Sequence, residues 1–289
     1  MGEDSVVKEA SGGLGNGPGF VHLRVHSAYS LLEGALPLKK ILGKAVADEQ
    51  PAIAITDTNN LFVALEFSQK ALGDGIQPII GCQLSIDMED STGEKRGGNG
   101  HLPDLPSVVV LASDADGYER LVDLVSRAYL GGDAGQPTHV KLSWFEESGT
   151  EGLILLTGAG GGPVDRMLKD GHKAQAENRL LALKQLFGDR LYVELQRHGE
   201  YDRTHERRMV QLAYEHDIPL VATNEAFFPA RDDYDAHDAL MAVAHNAIVS
   251  NDDRFRLTPD HYLKSRADMM KLFADLPEAL ENSVEIARR

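Results

Sequence analysis

Three polar residues alternate along a short segment near the start of the chain, in the run VHLRVH at residues 21–26. In an extended strand, residues two apart share a face, so His22, Arg24 and His26 are predicted to lie together. Two imidazoles on one strand face are a common beginning of a divalent-metal site. Arg24 stands between them, and a guanidinium stays protonated and has no lone pair for a metal. The segment therefore has the pattern of a metal site in which one ligand has been replaced.

Short apolar runs alternate with helical patterns along the chain after Phe20. The predicted strands are Val21–His26, Ala52–Thr56, Ile79–Leu84, Val108–Ala112, Leu153–Thr157, Leu191–Gln196 and Leu220–Thr223. The predicted helices are Leu36–Asp48, Leu61–Leu72, Gly117–Leu130, Ala174–Phe187 and Thr204–Glu215. This alternation indicates a parallel sheet with helices outside, closed as a distorted seven-stranded (β/α) barrel. An open, doubly wound sheet is the alternative on this pattern alone.

Four segments fall outside the alternation. Residues 1–19 are rich in Gly and Ser without a periodic pattern, which predicts a disordered segment before a folded unit at 20–289. Segments 89–106 and 131–139 contain Gly, Asp and Pro and are predicted surface loops. From Tyr234 onward the chain is predicted to be mostly helical. Because its last run has no stop signal, we interpret this C-terminal extension as cut from a longer protein.

Polar side chains are concentrated at the carboxyl ends of the predicted strands, where the loops of a parallel barrel converge on one mouth. They are His26 and Ser27, Asp57 and Thr58, Gln83, residues 157–159 and 196–198, and Asn224 and Glu225. The good metal donors among them are His26, Asp57, His198 and Glu225, with Glu33 on the first loop as a possible fifth. Such a set could hold one Mg²⁺ or Mn²⁺ ion. The alternative, which the small number of ligands favours, is that these residues hydrogen-bond to one another and cap helices.

Composition limits the class of protein. The 289 residues are 42% hydrophobic and 26% charged, as in ordinary globular proteins. The formal net charge of -16 argues against a surface dedicated to nucleic acid, which needs clustered basic residues. The single cysteine, Cys82, excludes an internal disulfide and fits a reducing cytoplasm. No apolar run is long enough to cross a bilayer, and the start lacks the pattern of a signal peptide.

Seven segments, taken in order, resemble the PHP (polymerase and histidinol phosphatase) domain that opens the alpha subunit of bacterial DNA polymerase III. They include FVHLRVHSAYSLLEGA at 20–35 and AITDTNNLF at 54–62, followed by segments 75–82, 117–126, 191–196, 221–225 and 273–280. Their order and spacing are preserved from Phe20 to the end. The resemblance implies a seven-stranded (β/α) barrel, in agreement with the fold predicted from the alternation.

The resemblance also implies nine metal-site positions, and most of them are changed here. In chain order they are Arg24, His26, Glu33, Thr58, Gln83, Ser107, Ala159, Glu225 and Phe227. Only His26 and Glu33 keep the family's residue type, and Glu225 is a conservative replacement. The site is therefore expected to be degenerate and to hold no metal, with Asp57, His198 and Asn224 as further polar residues of the mouth. We expect Arg24 to replace the cation by pairing with Glu33, Asp57 or Glu225.

Three functional hypotheses follow from the resemblance. The first is a non-catalytic scaffold that supports the core of a replicative DNA polymerase and binds its proofreading exonuclease subunit. Nucleotidyl transfer and its Mg²⁺ would then lie C-terminal to Arg289, and this domain would be cytoplasmic, without cofactor, membrane contact or a direct nucleic-acid site. The second is a metal-dependent phosphoesterase or pyrophosphatase, which stoichiometric Zn²⁺ or Mn²⁺ in the purified protein would favour. The third is a free-standing regulatory protein.

Overall fold

The computed structural model describes residues 19–90, 105–131, 136–199, 203–251 and 253–289. Within these ranges seven strands form one sheet: β1 (Ala52–Ile55), β2 (Gln77–Asp87), β3 (Ser107–Ala112), β4 (Val140–Lys141), β5 (Leu153–Leu156), β6 (Leu191–Gln196) and β7 (Leu220–Thr223). Their order is β1-β2-β3-β5-β6-β7, with β4 paired to the far end of β2. The predicted segment 1–19, except for Gly19, and parts of both predicted loops lie outside the described residues.

Ten helices pack against this sheet in the described ranges. They are α1 (Leu38–Ala47), α2 (Ala64–Gly73), α3 (Ala115–Leu130), α4 (Leu142–Ser148), α5 (Pro163–Lys169), α6 (Lys173–Phe187), α7 (Arg203–Glu215), α8 (Tyr234–Ala244), α9 (Arg266–Leu272) and α10 (Pro277–Arg288). The five predicted helices are present close to their expected bounds, whereas the short helices α4 and α5 were not predicted. In the part of the chain that the structure describes, no helix is long and apolar enough to span a membrane.

The direction of β3 differs from the prediction of an all-parallel sheet. β3 runs antiparallel to both of its neighbours, β2 and β5, whereas β1-β2, β5-β6 and β6-β7 are parallel pairs. The physical reason is the connection, because the sequence between β2 and β3 carries no helical pattern and antiparallel neighbours need no crossover helix. As a consequence, the start of β3 lies at the same edge as the ends of the parallel strands.

Residues 21–26 close the curled sheet without forming a regular strand. On one side the Ala54 amide donates to the His22 carbonyl at 2.8 Å, and the Thr56 amide donates to the Val25 carbonyl at 2.9 Å. On the other side the His26 amide donates to the carbonyl of Ala226, just after β7, at 2.9 Å. The segment thus spans the gap between β1 and β7, and the predicted distorted seven-stranded barrel is confirmed.

A bulge in this segment changes which side chains share a face. The amides of Ala54 and Thr56, two residues apart, donate to the carbonyls of His22 and Val25, which are three residues apart. Between these two hydrogen bonds the first segment therefore contains one extra residue. His22 Nε2 donates to the carbonyl of Lys264 at 2.9 Å, beside α1 and α9, whereas Arg24 turns into the barrel. The prediction that His22, Arg24 and His26 share one face was therefore wrong, since only the last two face the mouth.

Helix α10 closes the end of the barrel opposite the mouth. Its Val284, Ile286 and Ala287 belong to the buried interior cluster that also contains Leu23 and Leu156. Polar contacts fix the helix to the starts of the strands. Ser283 Oγ accepts from the Val21 amide at 2.9 Å, Asn282 donates to the Leu220 carbonyl at 2.8 Å, and Gln77 donates to the Ala287 carbonyl at 2.8 Å. The other end of the barrel is formed by the carboxyl ends of the parallel strands.

Candidate functional site

The guanidinium of Arg24 lies at the centre of the mouth and is only 2% exposed. Its Nη1 donates to both carboxylate oxygens of Glu194, each at 3.1 Å. Its Nη2 donates to Glu225 Oε1 at 2.6 Å and to Gln83 Oε1 at 2.6 Å, and Nε also reaches Gln83 at 3.1 Å. Residues from the first segment, β2, β6 and the end of β7 are thus joined through one cation. We call Arg24, Gln83, Glu194 and Glu225 the arginine hub.

Glu194 is the member of the hub that the sequence prediction missed. It lies in the middle of β6, and its side chain is completely buried. Besides Arg24, it accepts hydrogen bonds from Thr223 Oγ1 at 2.5 Å, from Gln196 Nε2 at 3.2 Å and from the Gly158 amide at 3.0 Å. A carboxylate inside an otherwise apolar buried strand requires a partner, and this is the signal that would have identified it.

Glu33, Asp57 or Glu225 was predicted as the partner of Arg24, and the structure shows Glu225 in that place. Glu225 is bound as expected, but Asp57 is occupied by the first loop. Its Oδ1 accepts from the Ser27 amide and from Ser30 Oγ, and its Oδ2 accepts from Ser27 Oγ, all at 2.7 Å. Three short donors satisfy the Asp57 carboxylate locally, so it fastens the loop after residue 26 and has no need of the guanidinium.

Glu33 is likewise engaged elsewhere, in a cluster beside the hub. Thr58 Oγ1 donates to Glu33 Oε2 at 2.6 Å, and the same hydroxyl is 3.5 Å from His26 Nδ1. The His26 ring stacks on Phe227 with 4.2 Å between centroids, and its Nε2 is 3.9 Å from Glu225 Oε1. At two of the implied metal-site positions, the hydroxyl of Thr58 and the ring of Phe227 therefore pack against His26.

Ser107 and Ala159 occupy neighbouring loops at the same edge. Ser107 begins β3, which reaches the mouth because this strand is antiparallel. Ala159 is buried in a short 3₁₀ turn at Ala159–Gly161 that follows β5, and the preceding Gly158 amide binds Glu194. The sequence GAGGGP at 158–163 forms this turn and the start of α5. Neither Ser107 nor Ala159 carries a strong metal ligand into the mouth.

Two further polar residues of the predicted mouth support its wall. His198 donates through Nε2 to the Asn224 carbonyl and stacks on His261 at 3.7 Å between centroids. Asn224 Nδ2 donates to the Tyr262 carbonyl at 2.7 Å. The chain after α8 is thereby fixed against the ends of β6 and β7. His198 and Asn224 have structural partners and make no direct contact with Arg24.

Burial and the hub together set the charges of the mouth. Burial disfavours the charge of Arg24, but Glu194 and Glu225 outweigh it and raise the pKa of the guanidinium above its ordinary value. Burial and the nearby Arg24 hold the pKa of His26 well below its usual range, so this ring is neutral. Burial raises the pKa of Glu225 to about 6, with Arg24 acting in the opposite direction. The hub therefore joins one guanidinium to two acidic side chains.

The residues of the mouth do not fit the metal site that the resemblance implies. Among the described residues, no group of three or more His, Cys, Asp or Glu side chains is arranged to hold a metal ion. The carboxylate oxygens of Glu194 and Glu225 that a cation would use already accept from Arg24. A permanent positive charge at this place also repels a metal cation across a few ångströms of low-dielectric surroundings. The arrangement is that of a buried cluster of ion pairs and hydrogen bonds.

Comparison with known proteins identifies the family of this fold. The family model described as the PHP domain matches residues 22–198, which is more than half of the chain. Among solved structures, an amidohydrolase from Chromobacterium violaceum is similar with a TM-score of 0.49 and 15% identity, over 73% of this chain and 89% of that one.

The similar curated proteins are much longer than this chain. The DNA polymerase III subunit alpha of Caulobacter vibrioides is 45% identical over 275 residues, which cover 94% of this chain and 23% of that protein. The subunit of the same name from Escherichia coli K12 is 37% identical over 274 residues, with 94% and 23% covered. The chain therefore spans about a quarter of the length of the curated relatives that it matches.

The hub predicts a large loss of stability for Arg24→Ala. Removing the guanidinium leaves the buried carboxylate of Glu194 without its cation, and breaking a buried pair in this way costs about 3–5 kcal/mol. Urea unfolding should therefore show a much lower midpoint. The control is Arg288→Ala, which removes an exposed pair with Glu285 and should cost less than about 1 kcal/mol. Equal midpoints for the two variants would contradict a stabilising role for the hub.

The buried histidines predict a loss of stability in acid. Burial lowers the pKa of His261 from 6.5 to about 4, so between these values the unfolded chain binds a proton that the folded chain does not. Stability therefore falls as the pH falls through this window, by about 2 kcal/mol for this residue between pH 7 and 5. We expect His261→Asn, which keeps an acceptor for the Thr258 amide, to lose correspondingly less. Exposed His245→Asn is the control, and identical pH profiles for all three proteins would refute this assignment.

Proposed function

Because this chain belongs to the PHP domain family, we propose that it acts as the non-catalytic PHP domain of a bacterial DNA polymerase III alpha subunit. In this role it supports the polymerase core and binds the proofreading exonuclease subunit. The observation that carries the proposal is the arginine hub, in which Arg24 engages Glu194 and Glu225 at the centre of the mouth. The identity of 45% over almost the whole chain supports the choice of parent protein.

The chemistry of the mouth supports a structural role more than hydrolysis. A metal-dependent phosphoesterase needs a cation that polarises the phosphoryl oxygen or activates a water molecule. Arg24 donates to substrates poorly here, since its Nε, Nη1 and Nη2 are already bound to Gln83, Glu194 and Glu225. His26 is packed between Phe227 and the hub, where it has little access to a reacting water. The hub instead fastens four segments of the barrel to one another.

The wider properties follow from the proposed parent. The chain covers 23% of its Caulobacter relative, so template-directed DNA synthesis and the Mg²⁺ that it requires belong to the other regions of such a protein. We place the domain in the cytoplasm with the replication machinery. The net charge of -16 supports contacts with proteins more than with DNA.

Metal analysis tests the non-catalytic role. We expect the purified chain to hold far less than one equivalent of Zn²⁺ or Mn²⁺ and to hydrolyse bis(p-nitrophenyl) phosphate no faster than the buffer. Arg24→His should not restore metal binding, because Thr58, Gln83, Ala159 and Phe227 still lack the ligands a cluster needs. Elemental analysis with and without added metal measures both. Near-stoichiometric metal, or turnover that a chelator abolishes, would instead establish the phosphoesterase alternative.

Binding measurements test the scaffold role. The chain should bind the proofreading exonuclease subunit of the Caulobacter polymerase with a Kd of about micromolar or tighter at physiological salt. A chelator should leave this affinity unchanged, since the hub holds the barrel together without metal. An unrelated protein of similar negative charge serves as the control for non-specific attraction. No detectable binding by a folded chain, as shown by its circular dichroism, would contradict the exonuclease part of the proposal.

A further inference from the structure

Five large apolar side chains are exposed to solvent on the first two loops of the mouth and at the start of α2. They are Tyr29, Leu31, Leu32, Phe62 and Leu65, which we call the rim patch. Their exposed fractions range from 40% for Tyr29 to 71% for Leu65. Single exposed apolar residues are common on soluble proteins, but groups of this kind mark interaction sites. The rim patch therefore requires an explanation that the arginine hub does not supply.

Hydrogen bonds hold the two loops of the rim patch together. Asn60 Nδ2 donates to the Tyr29 carbonyl at 2.9 Å, and the Phe62 amide donates to Asn60 Oδ1 at 3.2 Å. The Thr58 amide also donates to Ser30 Oγ at 3.1 Å. The loops form one surface whose conformation is fixed before any partner arrives, which lowers the entropy lost on binding.

The backbone conformation of Leu32 also indicates that the rim patch binds a partner. Its φ of +65° lies in the left-handed region, which residues other than glycine adopt at an energetic cost. The side chain is 53% exposed, so packing within the described chain does not offset the energetic cost of this conformation. Burial of the Leu32 side chain against a partner would offset this cost.

The charge of the surroundings indicates the chemistry of the partner. The rim patch itself has no charged member, and the neighbouring acids are engaged: Glu33 accepts from Thr58, and Glu66 pairs with Lys70 at 2.5 Å. Nucleic acid would require a basic surface here. An apolar protein surface with few charges matches the patch.

We propose that the rim patch docks onto the polymerase region that accompanies this segment in the relatives, an inference that rests on the proposed function. Since the match covers 23% of the Caulobacter relative, more than three-quarters of that polypeptide lies outside it. A surface on the same polypeptide is tethered at high effective concentration. Contacts between domains of one chain are moderate in size, and a patch of five apolar side chains suits such a contact.

The test is a full-length chimera in which this chain replaces the matching segment of the Caulobacter protein. Leu31→Asp combined with Leu65→Asp should lower the thermal midpoint of the chimera by several degrees and reduce its DNA synthesis. The same pair should leave the midpoint of the 289-residue chain nearly unchanged, because both side chains are exposed there. Leu72→Asp is the matched control, since Leu72 is 66% exposed at the opposite end of α2. In hydrogen exchange, amides 28–33 and 60–65 should be slower in the chimera than in the isolated chain.

The outcomes separate this inference from the proposed function. A wild-type chimera that cannot synthesise DNA would contradict the proposed parent. An active chimera that tolerates the double variant, with unchanged exchange at both loops, would overturn only the docking of the rim patch. Loss of exonuclease binding without any effect on the chimera would also overturn it, because the patch would then serve the separate subunit. Equal losses of stability in chimera and isolated chain would reveal a folding defect and refute a docking role.

Discussion

The charged side chain of Arg24 is buried away from water, and the other polar residues at the centre of the mouth serve as its partners. Moving one ion out of water costs several kcal/mol unless partners compensate it. Glu194 and Glu225 supply opposite charge, and Gln83 accepts the remaining hydrogen bonds. Since these partners come from β2, β6 and the second residue after β7, the charge can be satisfied only when the barrel is closed. The ion pairs of the hub can therefore form only in the folded barrel.

The balance of charge within the hub explains how its two acids differ. Two carboxylates share one guanidinium, so the cluster has surplus negative charge. Glu194 is fully buried and accepts hydrogen bonds from three donors besides Arg24, namely Thr223 Oγ1, Gln196 Nε2 and the Gly158 amide. Glu225 retains 17% exposure of its side chain, and burial raises its pKa to about 6. Protonation of Glu225 would therefore leave one carboxylate for the one guanidinium.

The fold and most of the mouth could be predicted from the sequence, and the exceptions have physical causes. Hydrophobic periodicity located the helices and strands, because burial of one face sets it. The bulge that separates His22 from Arg24 left no trace in the alternation, since it arises from pairing with β1 on one side and Ala226 on the other. The direction of β3 depends on a connection without a helix. Glu194 was not predicted because it lies in the middle of β6, whereas the predicted residues of the mouth were those at the ends of strands.

A buried arginine and a bound metal ion would make the stability of a domain depend on different conditions. A bound metal stabilises a fold only in proportion to its free concentration and to the protonation of its ligands. The guanidinium of Arg24 is part of the chain, and its pKa is raised further by its two acids, so its charge is present at every physiological pH. His26 remains at the edge of the hub as a neutral ring stacked on Phe227. The ion pairs of Arg24 thus join the strand ends of the barrel through side chains of the chain itself.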